Sequence, residues 1–538
     1  MTREPLFIAS GFSSPAVTPE LAGSKATELW HMAKLGLDVP PAFVLPTTLC
    51  AGANAGEGAA LAAVENALAK GIAWLEERTG RRFGDSRAPL LVSARSGAAV
   101  SMPGMLQTVL DIGLNEESVH GLIRLNGNPR LAFDSWRRLI QSHAEVVGGL
   151  PAARFDQALA EMVKGEQVEG EAELDSEALE RLATAYRDLA LRAGHAVPDD
   201  PRRQLAQAAR AVFQSWQSPR AVEYRRLNRI SDDGGTAITV QAMVFGNSGP
   251  RSGAGVIFSR NPATGADEPY LDFLFDAQGE DVVSGRRTPV DASRLQARLP
   301  EVARRLIDGV KLIERTRHDA QDVEFTVEEG HLYFLQTRSA KRTPLAALSL
   351  AVAMVHEGLI DRPTALARLA AFDLSALAVS RFADNAAPAA EAISAAPGVA
   401  SGRVAFSSAR AKELAQDGAP VILVRPDTST EDVAGFAVAS GILTTVGGRT
   451  AHAAVVARQL GKVCLVGCRA LAIDETRAEA TIAGTPLREG DWLSLDGDVG
   501  TVVLGKRNIV SRPPEELAEV ERWRSTAGMS PAAACGGN

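Results

Sequence analysis

The spacing of apolar residues changes along this chain, and each period predicts an element. Between residues 176 and 194, Leu179, Leu182, Tyr186 and Leu189 recur at helical spacing, Glu177 and Glu180 favour the first turn, and Gly194 ends the pattern. Similar helical patterning fills roughly 115–230, which reads as a helical insertion within a mixed first part, 1–340. Residues 321–338, QDVEFTVEEGHLYFLQTR, alternate instead and predict a β-hairpin turning at Glu328, Glu329 and Gly330. The run LAALSLAVAMV at 345–355 predicts a buried or linker helix, well short of the ~20 apolar residues that span a bilayer. ADNAAPAAEAISAAP at 383–397 has linker composition, so 341–398 reads as a helical linker. A compact α/β unit follows over 399–510, and the tail 511–538, ending TAGMSPAAACGGN, has little to bury and predicts disorder.

Two of these elements carry chemistry. On the hairpin, strand periodicity puts Asp322 and Glu324 on one face, opposite Val323 and Phe325, and puts Gln336 and Arg338 on one face of the return strand. Paired carboxylates offer hard oxygens to Mg²⁺, and an arginine nearby can clamp phosphate bidentately. Periodicity alone favours an ordinary half-exposed hairpin. In GGRTAHAAVVARQLGK, 447–462, His452 follows a Gly-Gly turn and starts a predicted helix. A neutral imidazole keeps a nucleophilic lone pair near pH 7, and the helix's first N–H groups stabilise an anion placed before them. Ala451, Ala453 and Ala454 leave the imidazole open, while Val455, Val456 and Leu460 supply the buried stripe. The plain alternative is a buried histidine capping a helix.

Composition narrows the class. At about 150 residues per domain the length suggests three or four domains, and 46% hydrophobic residues can fill their cores. Lys+Arg 57 against Asp+Glu 65, a net charge of -8 with no basic block, argues against a nucleic-acid partner and makes any phosphate-binding charge local. Four cysteines, Cys50, Cys464, Cys468 and Cys535, read as reduced thiols, with Cys464 and Cys468 in the core. The first residues lack the apolar core of a signal peptide. These features suggest a cytoplasmic protein without a membrane partner.

The His452 segment resembles the phosphohistidine signature of the pyruvate, phosphate dikinase and phosphoenolpyruvate synthase family. The resemblance extends through ASGRVAF (400–406), VILVRPDTSTEDVAGF (421–436), GILTT (441–445), LVGC (465–468) and GDWLSLDG (490–497). PLLVSARSGAAVSMPGMLQTVLDIGLN (89–115), RAVEYRRLNRISDDGGTAITVQAMVFGN (220–247), AQGEDVVSGRRTP (277–289) and LQTRSAKRTP (335–344) favour the dikinase branch. Arg449 for Met and Ala451 for Ser depart from the usual dikinase pattern, so this short stretch also looks like the synthase, and Ser24 and Ala26 replace glycines around Lys25 and Asp272 a Glu.

The resemblance implies an α/β multidomain protein, an ATP-grasp nucleotide-binding domain with a helical insertion followed by a swivelling α/β phosphohistidine domain. It implies that Lys25 and Arg95 meet ATP phosphates, and that Asp272, Asp322, Glu324, Gln336 and Arg338 contact nucleotide, phosphate or Mg²⁺, with Asp322 and Glu324 the metal ligands. Gly253 and Gly255, in GNSGPRSGAGV (246–256), belong to a glycine-rich hairpin that lets backbone N–H groups approach phosphate. It makes His452 the phosphoryl carrier and Thr450 the residue that a regulatory kinase-phosphatase modifies in some dikinases. The implied reaction uses Mg·ATP and phosphate, releases AMP and pyrophosphate, and passes one phosphoryl to pyruvate, with 341–398 as the swivel. The family continues into a (β/α)₈ barrel of roughly 250 residues, whereas this sequence stops soon after GTVVLG (500–505). The expectation is therefore a barrel supplied by a separate protein, with a different acceptor, or a non-catalytic nucleotide-binding role, as alternatives.

Overall fold

Strands in this chain are short and apolar, so each is stable only inside a sheet covered by helices. The computed structural model describes every residue except 1–3, 13–14, 101, 103–106, 284–289, 291, 375–376, 385, 428–431, 450–451, 475–476 and 527–538. It divides into two units, Met1–Ser252 with Val327–Thr337, and Gly253–Thr326 with Arg338–Asn538.

The first unit holds a five-stranded sheet in the order Leu6–Ile8, Ala42–Leu45, Ala237–Ala242, Val92–Gly97, Thr108–Ile112, with antiparallel neighbours throughout. Six helices, from Glu116–Asn126 to Pro219–Leu227, fill the stretch whose pattern is helical. Asp175 caps Ser176–Arg192 by accepting from the Ala178 N–H at 2.8 Å, and Leu179, Leu182 and Tyr186 are buried. That face packs on Pro129–Val146.

Within the insertion, His143 and His195 stack and approach Nδ1 to Nε2 at 3.1 Å. Burial, with the His195 ring beside it, pushes the His143 pKa down to about 4, and burial lowers that of His195. The sign of the consequence is definite. Unfolded histidine titrates near ~6.5, so between there and about 4 the unfolded chain binds a proton that folded His143 refuses. Stability is fully present above the upper value and falls as pH drops through the window, by roughly 2–3 kcal/mol in total. Urea midpoints measured from pH 7.5 to 4.5 should fall more steeply for the parent chain than for His143→Gln, which cannot titrate. Parallel pH curves would overturn the assignment.

In the second unit Gly253–Phe258 pairs antiparallel with Tyr270–Phe275, and the strand Gln321–Glu328 flanks it on the other side, while most of the return strand His331–Ser339 falls in the first unit's Val327–Thr337. The helix Pro344–His356 buries Leu348, Leu350, Val352 and Met354 among other residues and packs with Arg362–Leu369. Beside both lies a helix at Glu515–Thr526, whose Val520 and Trp523 are buried in the same cluster. The expected disorder of the tail is thus corrected over 515–526. Two apolar residues three apart suffice once neighbouring helices offer a groove.

The C-terminal α/β domain is an eight-stranded sheet. Its centre is four parallel strands, Val399–Ala405, Val421–Arg425, Gly441–Thr444 and Val463–Val466. Parallel strands are covered on both faces, which explains the unbroken apolar run VILV. Separate apolar clusters lie on the two sides of the sheet, one around Val404, Ile422 and Leu493, the other around Leu423, Phe436 and Ala454. The linker reading of 383–397 needs correction too. Ala390–Glu391 and Ile393–Ala396 are the two edge strands of this sheet, and Ala395 and Ala396 are buried. The chain enters and leaves through paired strands, Val379–Phe382 and Ile509–Arg512.

Candidate nucleotide and phosphohistidine site

In open α/β sheets, functional loops gather where parallel strands end. The turn after Gly441–Thr444 leads there into the helix His452–Gln459, with His452 as its first residue. Gly447 takes φ 106, a left-handed value that a side chain would strain. The turn is tied down by the Thr444 hydroxyl donating to the Val446 carbonyl at 2.6 Å and the Cys468 N–H donating to the Thr444 carbonyl at 2.9 Å. Thr450 and Ala451 lie outside the described residues. The helix's buried face differs in part from the one read from sequence: Val456 packs against the core, but Ala453, Ala454 and Ala457 are the buried residues and Leu460 is 42% exposed. Small residues let the helix lie close to the sheet, so the alanines are packing surface and not merely space around an imidazole.

The same helix carries a charge into the interior. Arg458 is 3% exposed, and its Nη1 donates to the Ala395 carbonyl at 2.8 Å. Burial lowers its pKa, opposed by negative groups that include Asp272 and Asp322. The guanidinium also stands over the Phe258 ring, 5.8 Å from its centroid, and Phe258 ends the strand that lies between Tyr270–Phe275 and Gln321–Glu328, which carry Asp272 and Asp322. Arg458 escaped the sequence reading. Its one signal was a lone charge inside VVARQL.

The hairpin is more deeply buried than alternation implies. Asp322 is 5% exposed, and Val323 and Phe325 on its other face are also buried. Arg338, half exposed, donates from Nε to Asp322 Oδ2 at 2.7 Å. Asp322 Oδ1 is buried with no hydrogen-bond partner. Burial raises the carboxyl's pKa and the Glu324 charge adds to this, while Arg338 opposes them. A buried carboxylate with one oxygen unsatisfied, beside a second, partly exposed carboxylate, suits a hard divalent cation. Among the described residues no group of three or more His, Cys, Asp or Glu side chains could hold a metal. Mg²⁺ needs only one or two carboxylates when substrate phosphates complete its shell. Gln336 is buried on the return strand and Asp272 is 3% exposed. A cavity of about 330 Å³ lies beside Asp272 and is also lined by Arg294, Glu391, Arg449 and Arg469.

Lys25 and Arg95 lie in the first unit. Their segments meet: the Ser24 N–H donates to the Ala98 carbonyl at 2.9 Å, and a Cβ at Gly23 would stand 2.3 Å from the Gly97 carbonyl oxygen. The glycine needed beside Lys25 is therefore Gly23, with φ 77, and Ser24 and Ala26 are accommodated next to it.

Gly253 and Gly255 are not loop residues. Both lie inside Gly253–Phe258, opposite Phe275 and Phe273 on the neighbouring strand. A Cβ on Gly253 would fall 2.1 Å from the Phe273 ring, and one on Gly255 2.6 Å from the Phe325 ring. The two rings stack at 5.7 Å. These glycines make room for aromatic packing, and their backbone belongs to a β-ladder. Gly253→Ala and Gly255→Ala should each destabilise the protein by about 1–3 kcal/mol through overpacking, read as a lower urea midpoint. Unchanged stability with weakened ATP use would restore the phosphate-loop role.

Residues 60–309 match the family model "Pyruvate phosphate dikinase, AMP/ATP-binding domain", and residues 418–500 match "PEP-utilising enzyme, mobile domain". The matched models are thus those of a nucleotide-binding domain and of a mobile domain of the PEP-utilising type. The chain belongs to the pyruvate, phosphate dikinase family. It is 43% identical to pyruvate, phosphate dikinase 2 of Zea mays over 91% of this chain and 56% of the relative. It is 43% identical to pyruvate, phosphate dikinase of Clostridium symbiosum over 90% and 56%, and 42% identical to the chloroplastic pyruvate, phosphate dikinase 1 of Oryza sativa subsp. japonica over 94% and 54%. The chain spans about half the length of these curated relatives. No helix among the described residues is long and apolar enough to cross a membrane.

Proposed function

We propose that this chain is an ATP-dependent phosphotransferase that loads His452 from Mg·ATP. The His452 imidazole attacks the β-phosphorus and the bond to the α-phosphate oxygen breaks, so that AMP leaves and the β- and γ-phosphoryls remain on histidine. Inorganic phosphate then attacks the terminal phosphorus, departs as pyrophosphate and leaves one phosphoryl on His452. Pyruvate is the acceptor that the relatives' names suggest.

The observation that carries this reading is buried Arg458 of the His452–Gln459 helix, which stands over the Phe258 ring, 5.8 Å from its centroid, on the strand flanked by those bearing Asp272 and Asp322. Asp322 and Glu324 would hold Mg²⁺, which neutralises phosphate charge. Arg338 would orient a phosphate while partly opposing the burial that raises the Asp322 pKa, and the family resemblance gives Lys25 and Arg95 of the first unit a phosphate-contacting role of their own. The swivel narrows from 341–398 to the two-stranded ribbon Val379–Phe382 and Ile509–Arg512, because the helices before it are packed with Glu515–Thr526. A phosphate placed on Thr450 by a regulatory kinase would add negative charge two residues from His452 and oppose loading.

The test is to incubate the pure chain with Mg·ATP labelled at the β or the γ position, with and without phosphate. Both labels should reach the protein without phosphate. With phosphate, only the β label should stay, and the γ label should appear in pyrophosphate. Release of ADP in place of AMP would overturn the scheme.

A further inference from the structure

Arg449 stands three residues before His452. Its guanidinium lies over the ring of Tyr270, 4.2 Å from the centroid. Its Nε is buried and makes no hydrogen bond, so the ring face is what compensates that part of the cation for lost water. Tyr270 is 7% exposed and begins the strand that carries Asp272. It faces the C-terminal domain twice: the ring lies under Arg449, and the hydroxyl donates to the Ser394 carbonyl on an edge strand of that domain. One tyrosine of the nucleotide-binding strands therefore touches both the turn before His452 and the edge of its sheet.

We infer that Arg449 and Tyr270 form a latch holding the phosphohistidine domain against the nucleotide-binding strands, and that both are positioning residues for the loading of His452. The inference rests on the carrier reading of His452 and adds which contact sets the docked population. An arginine on an aromatic face, partly removed from water, is strong enough to favour docking and weak enough to open. A buried salt bridge in its place would hold too firmly for a domain that has to leave.

The experiment uses the full chain and two readouts. Loading is the initial rate of His452 labelling from Mg·[β-³²P]ATP, with His452→Ala as the blank. Docking is read without chemistry, from the distance distribution between spin labels on Asp308→Cys and Gln416→Cys, both at exposed positions, with Cys535 replaced by Ser. Arg449→Gln should slow loading by roughly 5- to 30-fold and move part of the distribution to longer distances. Arg449→Lys, which keeps the cation, should restore most of both. Tyr270→Phe keeps the ring, so Arg449→Gln should lose the same factor in that background, whereas in Tyr270→Leu it should lose little more.

An Arg449→Gln protein with parental loading and parental distances overturns the latch, and so does failure of Arg449→Lys to restore them. Should the parent chain take no label while Arg449→Gln still lengthens the distances, the latch stands and the carrier reading falls. Unfolding midpoints within error of the parent for the Arg449 variants keep a folding defect from imitating either result.

Discussion

His452→Ala should lose phosphoryl loading by at least roughly 10³-fold, because no other group replaces a positioned nucleophile. The label on the parent chain should be acid-labile and base-stable, as a phosphorus–nitrogen bond is. The variant should keep its fold, since the helix that begins at position 452 is held by Ala453, Ala454 and Ala457 in the core beneath it. Nucleotide binding should also persist, because the candidate nucleotide residues lie on other elements. The measurement is stoichiometric labelling from Mg·[β-³²P]ATP beside circular dichroism and ATP-dependent thermal protection. Full labelling of His452→Ala would show that the carrier lies elsewhere and that the turn at 447–449 serves only to start a helix.

What the sequence made legible depended on how local each signal is. The hairpin follows from alternation over 321–338, and the cross-strand bond from Arg338 to Asp322 joins two residues that periodicity had marked as polar. The helix starting at His452 follows from the Gly-Gly turn and the apolar residues after it. Burial was legible only in part, because alternation reports one covered face, whereas Asp322 and Val323 lie on opposite faces and are both buried. Composition misled at 383–397: alanine-rich segments suit a mobile linker and also an edge strand packed under a helix. Gly253 and Gly255 looked like phosphate-loop residues because the rings that need their space, Phe273 and Phe325, come from other strands. Tyr270 and Arg458 act through partners far along the chain, Ser394 and Asp272 among them, and no local period encodes such a meeting.

Asp322→Asn should move stability and activity in opposite directions. In a structural ion pair both partners lose when one is neutralised, and the protein weakens. Arg338 is half exposed and can be rehydrated, while burial and the Glu324 charge both raise the Asp322 pKa and so disfavour its ionised form. Removing that charge should therefore leave the unfolding temperature unchanged or higher, the usual sign of a group kept for function at some expense of stability. AMP formation from Mg·ATP should nevertheless fall by roughly 10²- to 10³-fold, as for loss of one preorganised electrostatic contact. The Mg²⁺ concentration giving half-maximal rate should rise, because a neutral amide binds a hard cation poorly. Glu324→Gln should show the same Mg²⁺ dependence with little change in stability, since Glu324 is only partly buried. Thermal unfolding with and without Mg·ATP, together with AMP release across a Mg²⁺ titration, separates the possibilities. A destabilised Asp322→Asn protein with parental AMP formation would make the Asp322–Arg338 pair a structural clasp and move the metal site off this hairpin.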